Sequence, residues 1–254
     1  MPNGTERNLL IDRYIKVFMR RCIGFAAAIL LLGLQSSHAA TNVWLVYSSR
    51  SGGHRSAARA VARELDAIPG VAGKVINTMD SQPGFLSCLE KSAAPSLGRW
   101  FPGVKARTIE DMVRGRGWGV RSARAYLRIK TLLSGRFLKR LREAQPDIVV
   151  STHSQVNVML SHWKRAGIIA MPLHCVITDY DTHVMWADPL IERYYVATEA
   201  VAGALEGYGV ERDRVTVTGI PVAAAFVDTP LQSPAQARRR LGLRADAPAI
   251  MMTG

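Results

Sequence analysis

Residues 42–54 read Asn-Val-Trp-Leu-Val-Tyr-Ser-Ser-Arg-Ser-Gly-Gly-His, an apolar run that stops at a polar turn bearing two glycines. The run Val43–Tyr47 is continuous rather than alternating, the pattern of a strand buried on both faces. Ala57, Val61, Leu65 and Ile68 then recur at i, i+4, i+8 and i+11, one face of a helix that stops near Pro69-Gly70. Further short β-branched runs follow at Lys74–Asn77, Asp147–Ser151, Leu173–Thr178, Tyr194–Ala197 and Val215–Thr218, with helical patterns between them. Strand–helix alternation of this kind predicts an α/β fold built on a doubly wound, Rossmann-like parallel sheet. A last apolar run, Ala249–Met252, reads as the opening strand of a second α/β domain after a helix over Pro234–Leu241. No internal repeat and no low-complexity tract interrupts the pattern.

The chain has 254 residues, 48% of them hydrophobic, enough to bury a core and to exclude wholesale disorder. Three cysteines (Cys22, Cys88, Cys175) do not make a disulfide framework. The formal net charge is +13, and it is concentrated. Residues 99–142 hold 13 Lys and Arg against Glu110 and Asp111, a net +11. Residues 1–40 contribute five basic and two acidic side chains, or +3, so the remainder nets −1. A near-neutral domain thus bears one strongly basic segment, which points to an anionic partner.

Residues 22–34 (CIGFAAAILLLGL) follow Arg20-Arg21 and precede small residues. A single run of this length excludes a polytopic membrane protein. It reads either as a signal peptide cleaved after Ser37-His38-Ala39 or as an uncleaved membrane anchor. The organisation expected is therefore a signal-like or anchor segment over 1–40, one Rossmann-like domain over 41–230, and a linker helix with the start of a truncated second domain over 231–254.

Ligands of doubly wound sheets bind at the carboxyl ends of the strands. Three strand exits carry chemistry-bearing residues. After the first strand come Ser51, Gly52, Gly53 and His54: glycines admit a close approach to the backbone, the helix N-terminus favours negative charge, and the histidine suits a general base. The loop lacks the phosphate-binding Gly-Lys-Ser/Thr and G-x-G-x-x-G patterns. After Leu173–Thr178 come Thr178, Asp179, Asp181, His183 and Trp186, where Asp179 can orient a histidine or hydroxyl and Trp186 offers an apolar platform. Asp179, Asp181 and His183, with His153 and His174, also form a conceivable metal half-site, although no HExxH or CxxC spacing supports one. His153 follows the strand Asp147–Ser151 and reads as a ligand contact or as a helix cap. The turn Gly219-Ile220-Pro221 reads as structural.

From Ser122 to Arg142 a stripe of Tyr126, Ile129, Leu133, Phe137 and Leu141 runs between arginines and lysines, predicting one basic amphipathic helix. Ahead of it, Arg99–Pro102 and Arg114–Gly119 read as flexible loops whose tryptophans suit a bilayer interface. Trp100, Arg114, Arg116, Trp118, Arg121, Arg124 and Arg128 are the membrane-binding candidates, with anionic lipids as the partner. No RNP, zinc-finger or helix-turn-helix pattern appears, so nucleic acid is not expected.

Taken together, Ser51-Gly52-Gly53-His54 with Ala57-Ala58, then Pro172–Asp179 with His183 and Trp186, then Gly219-Ile220-Pro221, resemble the monogalactosyldiacylglycerol synthase and processive diacylglycerol glucosyltransferase family. The family usually has a third glycine where this chain has Ser51. The resemblance implies the N-terminal, acceptor half of a GT-B glycosyltransferase. A hexose would pass, with inversion, from a nucleotide sugar such as UDP-hexose to diacylglycerol or a related lipid. It implies His54 as the base and places Asp179, His183 and Trp186 in the acceptor and anionic-lipid region. It requires no metal and no cofactor beyond the donor substrate. Because nucleotide sugars are cytoplasmic, it favours the cytoplasmic face of the inner membrane over export through a signal peptide. The donor half would begin near Pro248, so the chain alone is expected to transfer no sugar. The alternatives are a non-catalytic anionic-lipid-binding domain and a metal-dependent hydrolase using His153, Asp179, Asp181 and His183.

Overall fold

The computed structural model describes residues 41–49, 52–84, 102–226, 232–244 and 246–250. The segment 1–40, Ser51 and Trp100 lie outside them. Six strands form one sheet: β1 (Thr41–Tyr47), β2 (Val71–Asn77), β3 (Ile148–Ser151), β4 (Leu173–Val176), β5 (Arg193–Val196) and β6 (Val215–Val217). All five pairings are parallel, in the order β2-β1-β3-β4-β5-β6. The Rossmann-like α/β sheet expected from the sequence is thus present.

The helices are α1 (Gly52–Asp66), α2 (Pro102–Val113), α3 (Trp118–Leu132), α4 (Gly135–Ala144), α5 (Ser154–Arg165), α6 (Glu199–Gly207) and α7 (Pro234–Arg240). Side-chain alternation along the strands divides the core between the two faces of the sheet. Val43, Leu45, Ile148 and Val150 pack with Ala58, Val61 and Leu65 of α1. Trp44, Val46, Val149 and Cys175 face the other way, onto Phe137 and Leu141 of α4, Leu160 and Trp163 of α5, and Leu205 of α6. Burying each such Leu, Val or Phe contributes roughly 1.5–3 kcal/mol, which is why the strands read as unbroken apolar runs. The described residues up to Ala223 form one compact unit, and those from Ala224 onward a separate small one. In the latter, Ser233 and Gln236 make a reciprocal capping box over α7.

Two expectations are corrected. Residues Ala249 and Ile250 form no strand, and Ile250 is 89% exposed; Met251 and Met252 lie outside the described residues. A parallel strand exists only by pairing, and no described strand pairs with this one.

The basic segment is not one helix. α3 and α4 are separated at Leu133-Ser134, where the Ser134 hydroxyl donates to the Lys130 carbonyl. Phe137 and Leu141 are buried as expected, but Tyr126 and Ile129 are exposed, and Leu127, Lys130 and Thr131 face inward instead. The stretch Arg114–Gly117 is a tight turn rather than a loose loop, with Gly115 and Gly117 at positive φ, and Trp118 opens α3.

The two acids of the basic segment have separate structural uses. Glu110 pairs with Arg114 one turn on, both largely exposed, and Asp111 accepts the backbone N–H of Gly119 at 2.7 Å, capping α3 from α2. α2 and α3 approach so closely that a Cβ on Gly119 would stand 2.8 Å from the Thr108 Cα and 2.9 Å from its carbonyl oxygen. Both are backbone atoms, so the helices would have to separate. Gly119→Ala is expected to destabilise the domain by about 1–3 kcal/mol, read as a lower urea midpoint; an unchanged midpoint would disprove this account of the α2–α3 contact.

Candidate functional site

The strand order reverses between β1 and β3, because the chain moves outward from β1 to β2 and then returns to β3. At such a switch point the loops after the two central strands diverge and leave a crevice. The two strand exits there lead to His54, in the first turn of α1, and to His153, and their ring centroids are 4.4 Å apart. Gly52 and Gly53 form the first turn of α1, exposed, and a Cβ on either would meet nothing within 4 Å. Packing therefore does not require glycine at these positions, and the helix N-terminus is left approachable, as an anionic or developing negative charge would need.

The histidines are held from beneath by their own elements. His153 is the N-cap of α5, its Nδ1 accepting the Gln155 backbone N–H at 3.2 Å. Burial first, and then the charges of His54, Lys130 and His183, push its pKa down to about 3. A neutral ring whose Nδ1 is an acceptor carries its proton on Nε2. His183 is arranged alike, accepting the Met185 N–H on Nδ1 at 3.3 Å, with its pKa lowered chiefly by burial against the opposing pull of Asp179 and Asp181. Both rings therefore present Nε2–H as a donor. His54 differs: its Nδ1 lies 3.0 Å from the Thr178 hydroxyl, while the Thr152 hydroxyl donates to its backbone carbonyl. If Nδ1–H donates to Thr178, Nε2 keeps a free lone pair, the form a general base requires.

Four sequence candidates thus meet in one place: His54, His153, Thr178 and His183. Thr178 orients His54, and Asp179 is exposed beside it. Trp186 is not an open platform. It is 1% exposed, lies in the core and floors the cluster, its ring centroid 6.5 Å from that of His54 and 6.2 Å from that of His183. The metal half-site gains no further support, for among the described residues no group of three or more His, Cys, Asp or Glu is placed to hold an ion. His174 is 3% exposed within β4, near the Tyr195 hydroxyl, with burial lowering its pKa to about 4.

Sequence reading overlooked the polar network beneath the cluster. Asn157 on α5 is fully buried; its Oδ1 accepts from the Ser151 hydroxyl, and its Nδ2 reaches the Cys175 sulfur at 3.1 Å and the Trp186 carbonyl at 3.3 Å. The Tyr194 hydroxyl bonds the same loop through Trp186 and Asp188. These bonds tie the loop carrying His183 directly to α5 and β5, and through Asn157 to β3 and β4. Lys130, one of the 13 basic residues of the segment, is 6% exposed and bonds Ser48 and Gln155.

The arginines named as membrane candidates are all exposed: Arg114, Arg116, Arg121, Arg124 and Arg128. Trp118 (67%) and Ile129 and Leu132 on the same helix are exposed with them. Arg124 and Arg128 also line, with His162 and Arg165, a cavity of about 360 Å³ between α3, α5 and the 184–189 loop. No helix among the described residues is long and apolar enough to cross a membrane.

Residues 106–222 match the family described as monogalactosyldiacylglycerol (MGDG) synthase, a span that holds His153, Thr178, Asp179, His183 and Trp186 but not His54. A probable chloroplastic monogalactosyldiacylglycerol synthase from Glycine max is 32% identical over 127 residues, 49% of this chain and 24% of the relative. Monogalactosyldiacylglycerol synthase 1 of Arabidopsis thaliana is 31% identical over 127 residues, with the same shares. A processive diacylglycerol beta-glucosyltransferase of Bacillus cereus (strain AH187) is 34% identical over 90 residues, 35% of this chain and 23% of the relative. The matched stretch therefore spans about a quarter of the curated relatives' length. The family resemblance carried by the strand-exit motifs is borne out over that stretch.

Two buried groups have measurable consequences. His153 and His174 bind a proton near 6.5 ordinarily but only near 3 and 4 in the fold, so below pH 6.5 the unfolded chain takes up more protons. The stability they contribute is full above pH 6.5 and is lost as pH falls toward 4, at about 1.4 kcal/mol per pH unit for each ring. Urea midpoints measured between pH 7.5 and 5 should fall accordingly, and a flat profile would contradict both burials. The Cys175 thiol, fully buried and raised to about 12, should stay unmodified by iodoacetamide at pH 8 until the chain unfolds, as peptide mapping would reveal.

Proposed function

We propose that this chain, matching the MGDG synthase family over residues 106–222, provides the acceptor-binding domain of a lipid glycosyltransferase. The observation that carries the reading is the pairing of His54 and His153 at the switch point of the sheet, beside an open helix N-terminus. The acceptor hydroxyl, that of diacylglycerol or a related lipid, gives its proton to His54 Nε2. Its oxygen then bonds the anomeric carbon of the hexose from the face opposite the nucleotide diphosphate. The anomeric carbon–oxygen bond to that diphosphate breaks, UDP leaves with the electron pair, and the configuration inverts. The neutral Nε2–H groups of His153 and His183 suit donation to oxygens around this centre, because a neutral donor does not compete with His54 for the proton. A second Rossmann-like half holds the nucleotide sugar in this reading. No metal takes part in these steps.

The lipid acceptor calls for a surface that docks on a bilayer. Exposed Trp118, Ile129 and Leu132 among Arg121, Arg124 and Arg128 fit insertion at an anionic interface, and the cavity lined by Arg124, Arg128, His162 and Arg165 fits an anionic headgroup. The working place is the cytoplasmic face of a membrane, where nucleotide sugars are available.

With the protein expressed from its full reading frame, His54→Ala should lower transfer from UDP-hexose to diacylglycerol in anionic vesicles by roughly 10²–10⁴-fold. Flotation with the vesicles should be unchanged, and equal turnover by the variant would refute the base assignment. Replacing Arg121, Arg124 and Arg128 together by Gln should weaken flotation on anionic vesicles, as should added salt. Equal binding to neutral and anionic vesicles would show that the arginines do not dock the domain. Vesicle binding without transfer from any nucleotide sugar would favour a non-catalytic lipid-binding domain.

A further inference from the structure

Of the basic side chains described between Arg107 and Arg142, Lys130 alone is buried. It stands on the inward face of α3, and its Nζ donates to Gln155 Oε1 at 2.8 Å and to Ser48 Oγ at 3.3 Å. Those two oxygens belong to the two sides of the crevice. Ser48 is the first residue after β1, six positions before His54, and Gln155 lies in the first turn of α5, where its own N–H is the donor that His153 Nδ1 accepts. Lys130 therefore bridges the β1 exit and the β3 exit from below, at the point where their loops diverge. An ammonium so placed does not serve a lipid surface, for it is turned away from solvent.

We propose that Lys130 is a positioning residue of the crevice: by bonding Gln155 and Ser48, its ammonium holds His153 as a neutral ring with the proton on Nε2. The bond to Gln155 steadies the first turn of α5, and with it the N–H that keeps Nδ1 an acceptor. The charge acts in the same direction. The charged or titratable groups felt by His153 are His54, Lys130 and His183, and each disfavours a second proton on the ring. Of the three, Lys130 is the one that is not a histidine of the cluster itself. The inference needs only the geometry of the crevice and stands whichever substrate enters it, so it can fail or hold independently of the glycosyltransferase reading.

The test is long-range ¹H–¹⁵N spectroscopy of the histidines in the whole chain, with circular dichroism confirming the fold. In the parent protein His153 should show the Nε2–H tautomer and stay neutral from pH 8 to 5. In Lys130→Met, which keeps the length of the side chain, the His153 titration midpoint should move up and the Nδ1–H tautomer should become populated. His174, which lies elsewhere in the sheet, should not change. Lys130→Gln keeps hydrogen-bonding capacity without the charge and covers the case in which the methionine variant does not fold; the same upward movement is expected. An unchanged His153 midpoint and tautomer in either folded variant would overturn the proposal. Loss of fold in both would make Lys130 a structural residue and would overturn it equally.

Discussion

The structure depends on the parallel pairing of β1 with β3, which places Val43–Val46 beside Ile148–Ser151. Two strands separated by about 100 residues in sequence become neighbours at the centre of the sheet, and both are buried on both faces. Burial on both faces is what the continuous apolar runs provide, and it leaves the strand ends as the only outlets for polar chemistry. Because β2 lies on the far side of β1, the loops after β1 and β3 part company and the crevice opens between them. His54 and His153 meet there as a consequence of strand order.

The surroundings of the histidines divide between two kinds of polar group. Beneath the cluster lies the Ser151–Asn157–Cys175 network, which is buried and tied to the Trp186 carbonyl; its role is to hold the 183–187 loop at a set distance from β3 and β4. A partly satisfied network there would cost more than an apolar one, so its completeness speaks for a demand on position. Beside the cluster stands Lys130, on a helix whose opposite face exposes Ile129 and Leu132. One helix thus turns a bilayer-suited face outward and a buried cation inward.

Much of the fold was legible in the residues. Six of the seven strand candidates exist, with boundaries off by a residue or a few, because burial on both faces leaves a strong one-dimensional signal. The histidines at the strand exits were legible for the same reason, since a polar residue directly after a buried strand has only the crevice to face. The stripe from Tyr126 to Leu141 misled, because helical phase is a cumulative quantity. Steps of four residues overshoot a turn of 3.6, so a stripe spaced mostly by fours drifts round the helix: Phe137 and Leu141 face the core, whereas Tyr126 and Ile129 have drifted off it. Trp186 misled in another way: a loop position suggested exposure, whereas the loop folds back onto the core and leaves the ring 1% exposed.

The sequence by itself determined the α/β class, the strand exits that carry polar chemistry and the concentration of positive charge in one segment. These follow from local period and composition, which any chain of these residues would express. Only the tertiary structure decided which strand exits share a crevice, which nitrogen of His153 and of His183 accepts a hydrogen bond, and which cation of the basic segment is buried. Those depend on strand order and on long-range hydrogen bonds, and each joins residues that lie far apart along the chain.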